Sequence, residues 1–172
     1  MVNAVYPPTK EEQGMEFSSL LRADLILLDI EFDDRFEALR YLAQVLYERG
    51  YVESTFEEAI VQRELLHPSG LPMEGHKIAI PHTGAEHVKS SVILFARLKD
   101  PVVFHCMGTP EDAISLRLIS MFALKEAKRI GDLLESLIHV YQNNEALDEI
   151  IKADTPEKVY DLLRQNIAKE TA

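Results

Sequence analysis

The stretch HKIAIPHTGAEH, residues 76–87, places a short apolar strand directly before a proline and a histidine. Ile78-Ala79-Ile80 has the composition of a strand, and Pro81 ends it because proline lacks the backbone N–H that a strand ladder needs. His82 is therefore predicted to lie at the end of a sheet, where α/β folds expose their reactive groups. An imidazole in that position serves as a nucleophile, a proton relay or a metal ligand. The alternative is a histidine that hydrogen-bonds its own loop and has no chemical role.

Further strands are predicted on both sides of this stretch. Leu25 to Leu28 is a compact apolar run typical of a buried strand. Val92 to Leu98 and Val102 to His105 predict two strands separated by a turn at residues 99–101, Lys-Asp-Pro. Ile114 to Leu124 is ambiguous by pattern, but its apolar tail favours a buried strand over a helix.

Two helices are predicted before residue 70. The first has an apolar face with helical spacing, begins after a cap at Asp33 and ends at Gly50. The second begins at Ser54-Thr55-Phe56-Glu57, which has the pattern of a capping box with Glu57 reaching back to the Ser54 backbone N–H. It runs to about Leu66. The apolar face of the first helix is formed by Phe36, Leu39, Leu42, Ala43 and Leu46.

The last fifty residues are predicted to be helical. Thr155-Pro156-Glu157 is a strong helix start, with threonine as the N-cap and proline at the first helical position. Residues 1–17 contain Pro7-Pro8 and little apolar content, so they predict a flexible N-terminal arm. Residues 18–172 are then a single α/β domain with a central mixed β-sheet flanked by helices.

The composition excludes several classes of protein. Of 172 residues, 47% are apolar and 27% charged, which excludes wholesale disorder. The net charge of −11 repels phosphate backbones, so nucleic acid is not expected as a partner. The single cysteine, Cys106, rules out an internal disulfide, and no apolar run approaches the roughly 18 residues that a membrane span requires. Since the N-terminus has no secretory pattern, we expect a cytoplasmic domain without membrane insertion.

A metal site would have to use His76, His82 and His87. Five and four residues separate them, and no carboxylate or thiolate pattern completes the set. Zinc frameworks use tighter pairs, and a strand and a proline lie between two of these histidines, so a metal is not expected. His105 and Cys106 also make a poor nucleophilic pair, because adjacent strand residues point to opposite faces. Cys106 is predicted to be buried and inert.

The segment QRELLHPSGLPMEGHKIAIPHT, residues 62–83, resembles the active-site region of type 2 EIIA domains, the mannitol–fructose class of the bacterial sugar phosphotransferase system. In that family an Arg-Glu pair on a helix precedes a strand ending in Pro-His, and this histidine accepts a phosphoryl group. Arg63 and Glu64 match the pair, nineteen and eighteen positions before His82. The stretch at residues 92–108 is also similar to the family's strand pair, and the resemblance extends over about residues 22–167.

Within this family the chain is most similar to the galactitol-specific branch, which carries a histidine five residues past the phosphorylated one, as His87 does here. Mannitol-type members have a glycine where this chain has Lys77. They also carry a second histidine where this chain has Arg129. The loss of this second histidine argues against a mannitol or nitrogen-regulatory assignment and fits the galactitol branch.

The resemblance implies a phosphocarrier without a metal or organic cofactor. The carrier protein HPr would phosphorylate His82, and a cysteine of EIIB would accept the group for sugar uptake through the membrane protein EIIC. Arg63 would neutralise the phosphoryl oxygens, and the Thr83 hydroxyl or nearby backbone N–H groups would hold them. The second ring nitrogen of His82 is expected to donate to a backbone carbonyl. Arg63 has an alternative interpretation as an ordinary surface charge.

Three questions stay open at this level. His87 either reaches the phosphoryl group as a second histidine or caps the following segment. An apolar docking face is expected at Leu71, Pro72, Met73 and Ile80, with core packing as the alternative. The rival functions are a regulatory module controlled by phosphorylation and, less favoured, a metal-dependent hydrolase that uses the three histidines of residues 76–87.

Overall fold

The computed structural model describes residues 17–170, with side chains up to residue 167. Most of the predicted arm, residues 1–16, lies outside this range. Phe17, its last residue, is helical and buried in the core, so the described domain begins there. None of the described helices is long and apolar enough to cross a membrane.

The described chain contains both strands and helices, as predicted for an α/β domain, with four strands in succession between two groups of helices. In chain order the elements are β1 (Leu21–Ile30), α1 (Arg35–Glu48), α2 (Phe56–Leu66), β2 (Gly70–Leu71), β3 (Ile78–Ala79), β4 (Val92–Cys106), β5 (Thr109–Ala123), α3 (Ile130–Tyr141), α4 (Asn144–Lys152) and α5 (Pro156–Glu170). Short 3₁₀ turns lie at Ala85–His87 and Ala127–Arg129.

The strands form one mixed sheet, which confirms the predicted fold class. Its order is β1-β4-β2-β3-β5, and β4 also pairs directly with β5. β1 and β2 run parallel to β4, whereas β4 and β5 are antiparallel. β3 runs parallel to β5 and antiparallel to β2. The short β2–β3 hairpin is therefore held between the two long strands.

β4 is continuous, so the predicted division into two strands is wrong. Arg97 pairs with Leu118 and Val102 with Leu116, which leaves extra residues on β4 between the two pairs. Residues 99–101 form this bulge and are exposed. A bulge tolerates a proline because its residues leave the hydrogen-bond ladder. The ambiguous run from Ile114 to Leu124 is in turn a strand, as predicted, and belongs to β5.

Two of the predicted helix caps are wrong. Asp34, not Asp33, caps α1 and accepts from two backbone N–H groups of the first turn. At the start of α2 the N-cap is Thr55, whose side chain makes no cap hydrogen bond. The predicted ends are confirmed at Gly50, which has a φ of +81°, and at Thr155, whose hydroxyl accepts from the third residue of α5 at 3.2 Å.

Helices cover both faces of the sheet. Strand residues alternate between faces, so Leu94 and Ala96 pack with α1 and α2, while Ile93 and Phe95 pack with α3, α4 and α5. The two apolar clusters together make a three-layer domain with the sheet in the middle.

Gly70 allows β2 to approach β4 closely. A Cβ at this position would lie 2.5 Å from the backbone oxygen of His105, closer than real Cβ contacts. The close approach brings the loop between α2 and β2 against the end of β3, where His82 lies.

Candidate active site around His82

A cavity of about 450 Å³ opens where α2 ends and β3 meets Pro81. Its wall combines charged, hydroxyl and apolar side chains. The lining residues are Arg63, Glu64, Leu66, His67, Pro68, Ser69, His82, Met107, Gly108, Pro110 and Leu134. The structure thus brings His82, Arg63 and Glu64 together in one cavity, although they are far apart in sequence.

His82 is held in a fixed orientation. Its Nδ1 donates to the backbone carbonyl of Ile80 at 2.9 Å, as predicted. The ring stacks on Phe122, with centroids 4.6 Å apart and planes 12° apart, and the Phe122 N–H donates to the carbonyl of Pro81. Because Nδ1 carries the proton in the neutral ring, Nε2 keeps a free electron pair.

The surroundings of His82 favour the neutral imidazole. Burial lowers the pKa of His82 below its ordinary value, because a charged ring is poorly solvated there, and the nearby Arg63 guanidinium lowers it further. The hydrogen bond to Ile80 acts in the opposite direction but does not outweigh burial. At neutral pH the ring is therefore predominantly a nucleophile rather than a cation.

Arg63 is exposed in the last turn of α2. No carboxylate among the described residues forms an ion pair with its guanidinium. Since Arg63 lines the same cavity as His82, its planar group of donors is available to an anion beside the imidazole.

Glu64 and Ser69 are polar residues of this cavity to which sequence reasoning gave no role. Glu64 is 2% exposed, and its Oε1 accepts from the Ser69 N–H at 3.0 Å. Burial raises the pKa of Glu64, although the Ser69 hydroxyl and amide oppose this. Ser69 Oγ is buried and, in the described structure, has no partner within hydrogen-bond geometry. A buried hydroxyl without a partner lowers the free energy of unfolding by about 1–3 kcal/mol. The signal in the sequence was a serine in the Pro-Ser-Gly stretch after the Arg-Glu pair.

Thr83 and His87 do not line the cavity. Thr83 is buried beside His82, and a contact between its hydroxyl and a phosphoryl group stays a prediction. His87 lies near the start of α2, where its Nδ1 and Thr55 Oγ1 are 2.8 Å apart. Arg63 is at the opposite end of this helix, so the geometry favours the structural interpretation of His87.

The other candidate residues have separate partners. His76 Nε2 lies 2.6 Å from Asp148, so the three histidines of residues 76–87 do not converge. In residues 17–170 no cluster of His, Cys, Asp and Glu is arranged to hold a metal ion. Cys106 is buried, as predicted, while His105 donates to the Pro110 carbonyl. Arg129 lies over the Phe17 ring, outside the cavity.

The predicted apolar docking face is wrong at Leu71 and Ile80. Both side chains belong to the core between the sheet and the C-terminal helices. The apolar surface beside His82 is formed instead by Leu66, which is 70% exposed, together with Met107 and Leu134 of the cavity wall. These three residues are called the apolar rim below.

Comparisons with known proteins agree with this architecture. The family model described as "Phosphoenolpyruvate-dependent sugar phosphotransferase system, EIIA 2" matches residues 19–166. The galactitol-specific EIIA component of the PTS system from Escherichia coli (strain K12) is 30% identical over 122 residues, which are 71% of this chain and 81% of that protein.

Two solved structures show the same fold. The crystal structure of IIA mannitol from Escherichia coli has a TM-score of 0.68 and 26% identity, covering 83% of this chain and 97% of that one. The complex of enzyme IIA-Mtl with phosphorylated enzyme IIB-Mtl from the same organism matches with a TM-score of 0.70 and 24% identity, covering 85% and 99%. The resemblance seen in residues 62–83 is confirmed.

Proposed function

The chain belongs to the EIIA type 2 family of the phosphoenolpyruvate-dependent sugar phosphotransferase system, and we propose that it carries the phosphoryl group on His82. Proteins of this family are phosphotransferases that work through a phosphohistidine intermediate. The observation that carries the assignment to His82 is its hydrogen bond from Nδ1 to the Ile80 carbonyl, which leaves Nε2 free in a cavity that also contains Arg63.

The chemistry exchanges one phosphorus–nitrogen bond for another in the first half and a phosphorus–nitrogen bond for a phosphorus–sulfur bond in the second. The Nε2 electron pair attacks the phosphorus of the donor phosphohistidine, and the donor imidazole leaves with the electron pair of the broken bond. In the second half a thiolate attacks the same phosphorus, and Nε2 of His82 leaves. Both halves balance without a further reactant. The lowered pKa of His82 helps the first half because it keeps the electron pair unprotonated.

Arg63 is the charge partner in this proposal. The transferred group spreads negative charge over three oxygens, and catalysis is mainly positioning and electrostatic stabilisation. A guanidinium without a carboxylate partner among the described residues is suited to bind those oxygens with charge-assisted hydrogen bonds. The unpartnered state of Arg63 supports this role.

The donor in the proposal is phosphorylated HPr, and the acceptor is a cysteine of EIIB. EIIB in turn supplies the phosphoryl group for sugar uptake through the membrane protein EIIC. Both transfers that involve this chain would take place in the cytoplasm. One solved relative is itself a complex of a IIA and a phosphorylated IIB protein. The apolar rim supports protein partners, because it surrounds the cavity with exposed surface that a partner can cover. Transient complexes of this kind need only a small interface.

We assign the sugar to the galactitol type. The support is the 30% identity to the galactitol-specific component, together with His87 and the replacement of the mannitol-type residues by Lys77 and Arg129. The assignment predicts faster transfer to the EIIB of a galactitol system than to the EIIB of a mannitol system. Equal rates, or the reverse order, would contradict it.

The test of the proposal is to incubate the protein with phosphoenolpyruvate, enzyme I and HPr and to map the acid-labile label. We expect the label on His82 and none in the His82→Gln variant. Label on another histidine would overturn the assignment. Phosphorylation of His82 without transfer to any EIIB would favour the regulatory module instead, and stoichiometric metal in the purified protein would favour the hydrolase.

A further inference from the structure

The Ser69 hydroxyl is a buried donor for which the described structure shows no use. Ser69 is 3% exposed. Its Oγ lies near enough to the Glu64 carboxylate to lower the pKa of Glu64, but no atom of residues 17–170 is in hydrogen-bond geometry to it. Buried hydroxyl groups are nearly always hydrogen-bonded, so an unpartnered one calls for a physical reason. Ser69 lines the same cavity as His82 and Arg63.

The backbone of Ser69 is fixed relative to His82 by three consecutive hydrogen bonds. The Ser69 N–H donates to Glu64 Oε1 at 3.0 Å, and the Ile80 N–H donates to the Ser69 carbonyl at 3.0 Å. The third bond runs from His82 Nδ1 to the Ile80 carbonyl at 2.9 Å. Buried Glu64 thus holds Ser69, and Ser69 holds the residue that orients the imidazole.

We propose that Ser69 Oγ–H donates a hydrogen bond to a phosphoryl oxygen on Nε2 of His82, with Glu64 as the residue that positions it. The proposal rests on the proposed function and adds a second contact to that of Arg63. Phosphoryl oxygens only accept hydrogen bonds, so a donor without a partner in the cavity wall is complementary to them. A preformed donor loses little freedom when the anion arrives, which is how enzymes stabilise developing charge.

A pair of serine substitutions separates this role from a structural one. Ser69→Ala removes a hydroxyl that has no partner in hydrogen-bond geometry among the described residues, whereas Ser120→Ala removes a buried hydroxyl that accepts from the Tyr141 O–H at 2.7 Å. Ser120 does not line the cavity. Ser69→Thr keeps a hydroxyl at the cavity position.

The variants are compared in three measurements. Steady-state transfer from phosphorylated HPr gives kcat and KM, thermal unfolding gives Tm, and the lifetime of phosphohistidine formed with phosphoramidate is followed by ³¹P NMR. Phosphoramidate is a small donor, so this last readout does not depend on a protein partner.

We expect Ser69→Ala to keep the KM for HPr but to lose about tenfold in kcat, with a shifted ³¹P resonance and a changed lifetime. Its Tm should equal or exceed that of the wild type, because the substitution removes an unpaired buried hydroxyl. Ser69→Thr should regain most of the rate. Ser120→Ala should have a lower Tm but an unchanged transfer rate. The proposal is overturned if Ser69→Ala transfers within about twofold of the wild type and shows the same ³¹P resonance. If the wild type takes no phosphoryl group on His82 from either donor, the proposed function fails and this contact fails with it.

Discussion

Similar polar side chains lie at the two ends of α2, but they are paired with one another at one end and left without such partners at the other. At the N-terminal end the Thr55 hydroxyl and His87 Nδ1 are 2.8 Å apart, and Glu57 and Glu58 both pair with Arg40. The polar groups there satisfy one another. One histidine, one hydroxyl and one arginine thus connect this end of the helix to neighbouring segments by hydrogen bonds and ion pairs.

At the C-terminal end the same three types of group are left available. His82 has one ring nitrogen bonded and one free, and Arg63 has no carboxylate partner within the described residues. The buried hydroxyl of Ser69 has no partner in hydrogen-bond geometry within the described part of the chain. An unpaired buried hydroxyl costs stability, and Ser69 places one in the same cavity as an unpaired imidazole nitrogen and a guanidinium without a carboxylate partner. This arrangement supports the proposal that an anion binds there. His82 and His87 are the same residue type, so it is the state of pairing that distinguishes the proposed phosphoryl acceptor from the histidine bonded to Thr55.

The largest effect is expected from the arginines at the two ends. Arg63→Ala should transfer at least about tenfold more slowly, since the loss of one charge-assisted contact of about 1.4 kcal/mol is sufficient for that factor. Its Tm should be nearly unchanged, because Arg63 is exposed. Phosphotransfer kinetics and thermal unfolding of the same preparations check both values.

Arg40→Ala is the matched control for Arg63→Ala. Arg40 is an exposed arginine whose ion pairs are with Glu57 and Glu58, and exposed pairs contribute at most about 1 kcal/mol. Its transfer rate should stay at the wild-type value. If Arg63→Ala instead loses much stability and transfers normally per folded molecule, Arg63 is a structural residue and the two ends of α2 do not differ.

The second-largest effect is expected on partner binding, from a substitution in the apolar rim. Leu66 is 70% exposed at the cavity mouth, whereas Val103, 51% exposed, lines a different cleft on β4. Leu66→Ala should raise the KM for HPr about fivefold, the factor that corresponds to about 1 kcal/mol of lost contact. Val103→Ala should leave the KM unchanged. Equal effects of the two substitutions would show that partners do not dock on the rim.

Much of the architecture follows from local sequence. The strand-Pro-His stretch, the apolar face of α1 and the start of α5 at Thr155 could be predicted because each depends on neighbours within one turn or one strand. The order of the strand-like and helix-like segments also identified an α/β domain with a mixed sheet. The position of His82 at the end of β3 is a direct consequence of Pro81, which ends the strand.

The errors have one physical origin, the contribution of distant residues. The bulge at residues 99–101 has the composition of a turn, and only the pairing of β4 with β5 distinguishes the two. Ser54 had the pattern of the N-cap, but the N-cap of α2 is Thr55, and its hydroxyl lies 2.8 Å from Nδ1 of His87, thirty-two residues away. The unpartnered hydroxyl of Ser69 was equally invisible, because hydrogen bonding in the folded state has no local signature.

A smaller effect is expected from pH. The pKa of His82 is lowered from the ordinary 6.5, so the folded protein binds fewer protons than the unfolded chain between the two values. Stability contributed by the neutral ring is therefore present above pH 6.5 and is lost as the pH falls through the folded pKa. Phosphorylation by phosphoramidate should fall off only below pH 6.5, where an unperturbed imidazole would already have lost about half of its neutral form.

Urea unfolding between about pH 5 and about pH 8 checks the sign for His82. The difference in unfolding free energy between the wild type and His82→Gln should decrease on the acid side of this range. A difference that stays constant, or that increases on the acid side, would mean that the environment of His82 does not favour the neutral ring. The cavity at the C-terminal end of α2 would then lack the feature that prepares His82 as a nucleophile.

The smallest effect on transfer is expected at the N-terminal end of α2. His87→Gln and Thr55→Val each remove one partner of the 2.8 Å hydrogen bond between them, so each should cost roughly 0.5–1.5 kcal/mol of stability. The double variant should cost little more than either one, because the second substitution removes a bond that is already lost. All three variants should transfer within about twofold of the wild type, since neither residue lines the cavity. A large loss of rate in His87→Gln with a normal rate in Thr55→Val would give His87 a role at the phosphoryl group. A histidine with a role in transfer would then lie at each end of the helix. Hydrogen-bond pairing in the unphosphorylated protein would no longer indicate which histidine has such a role.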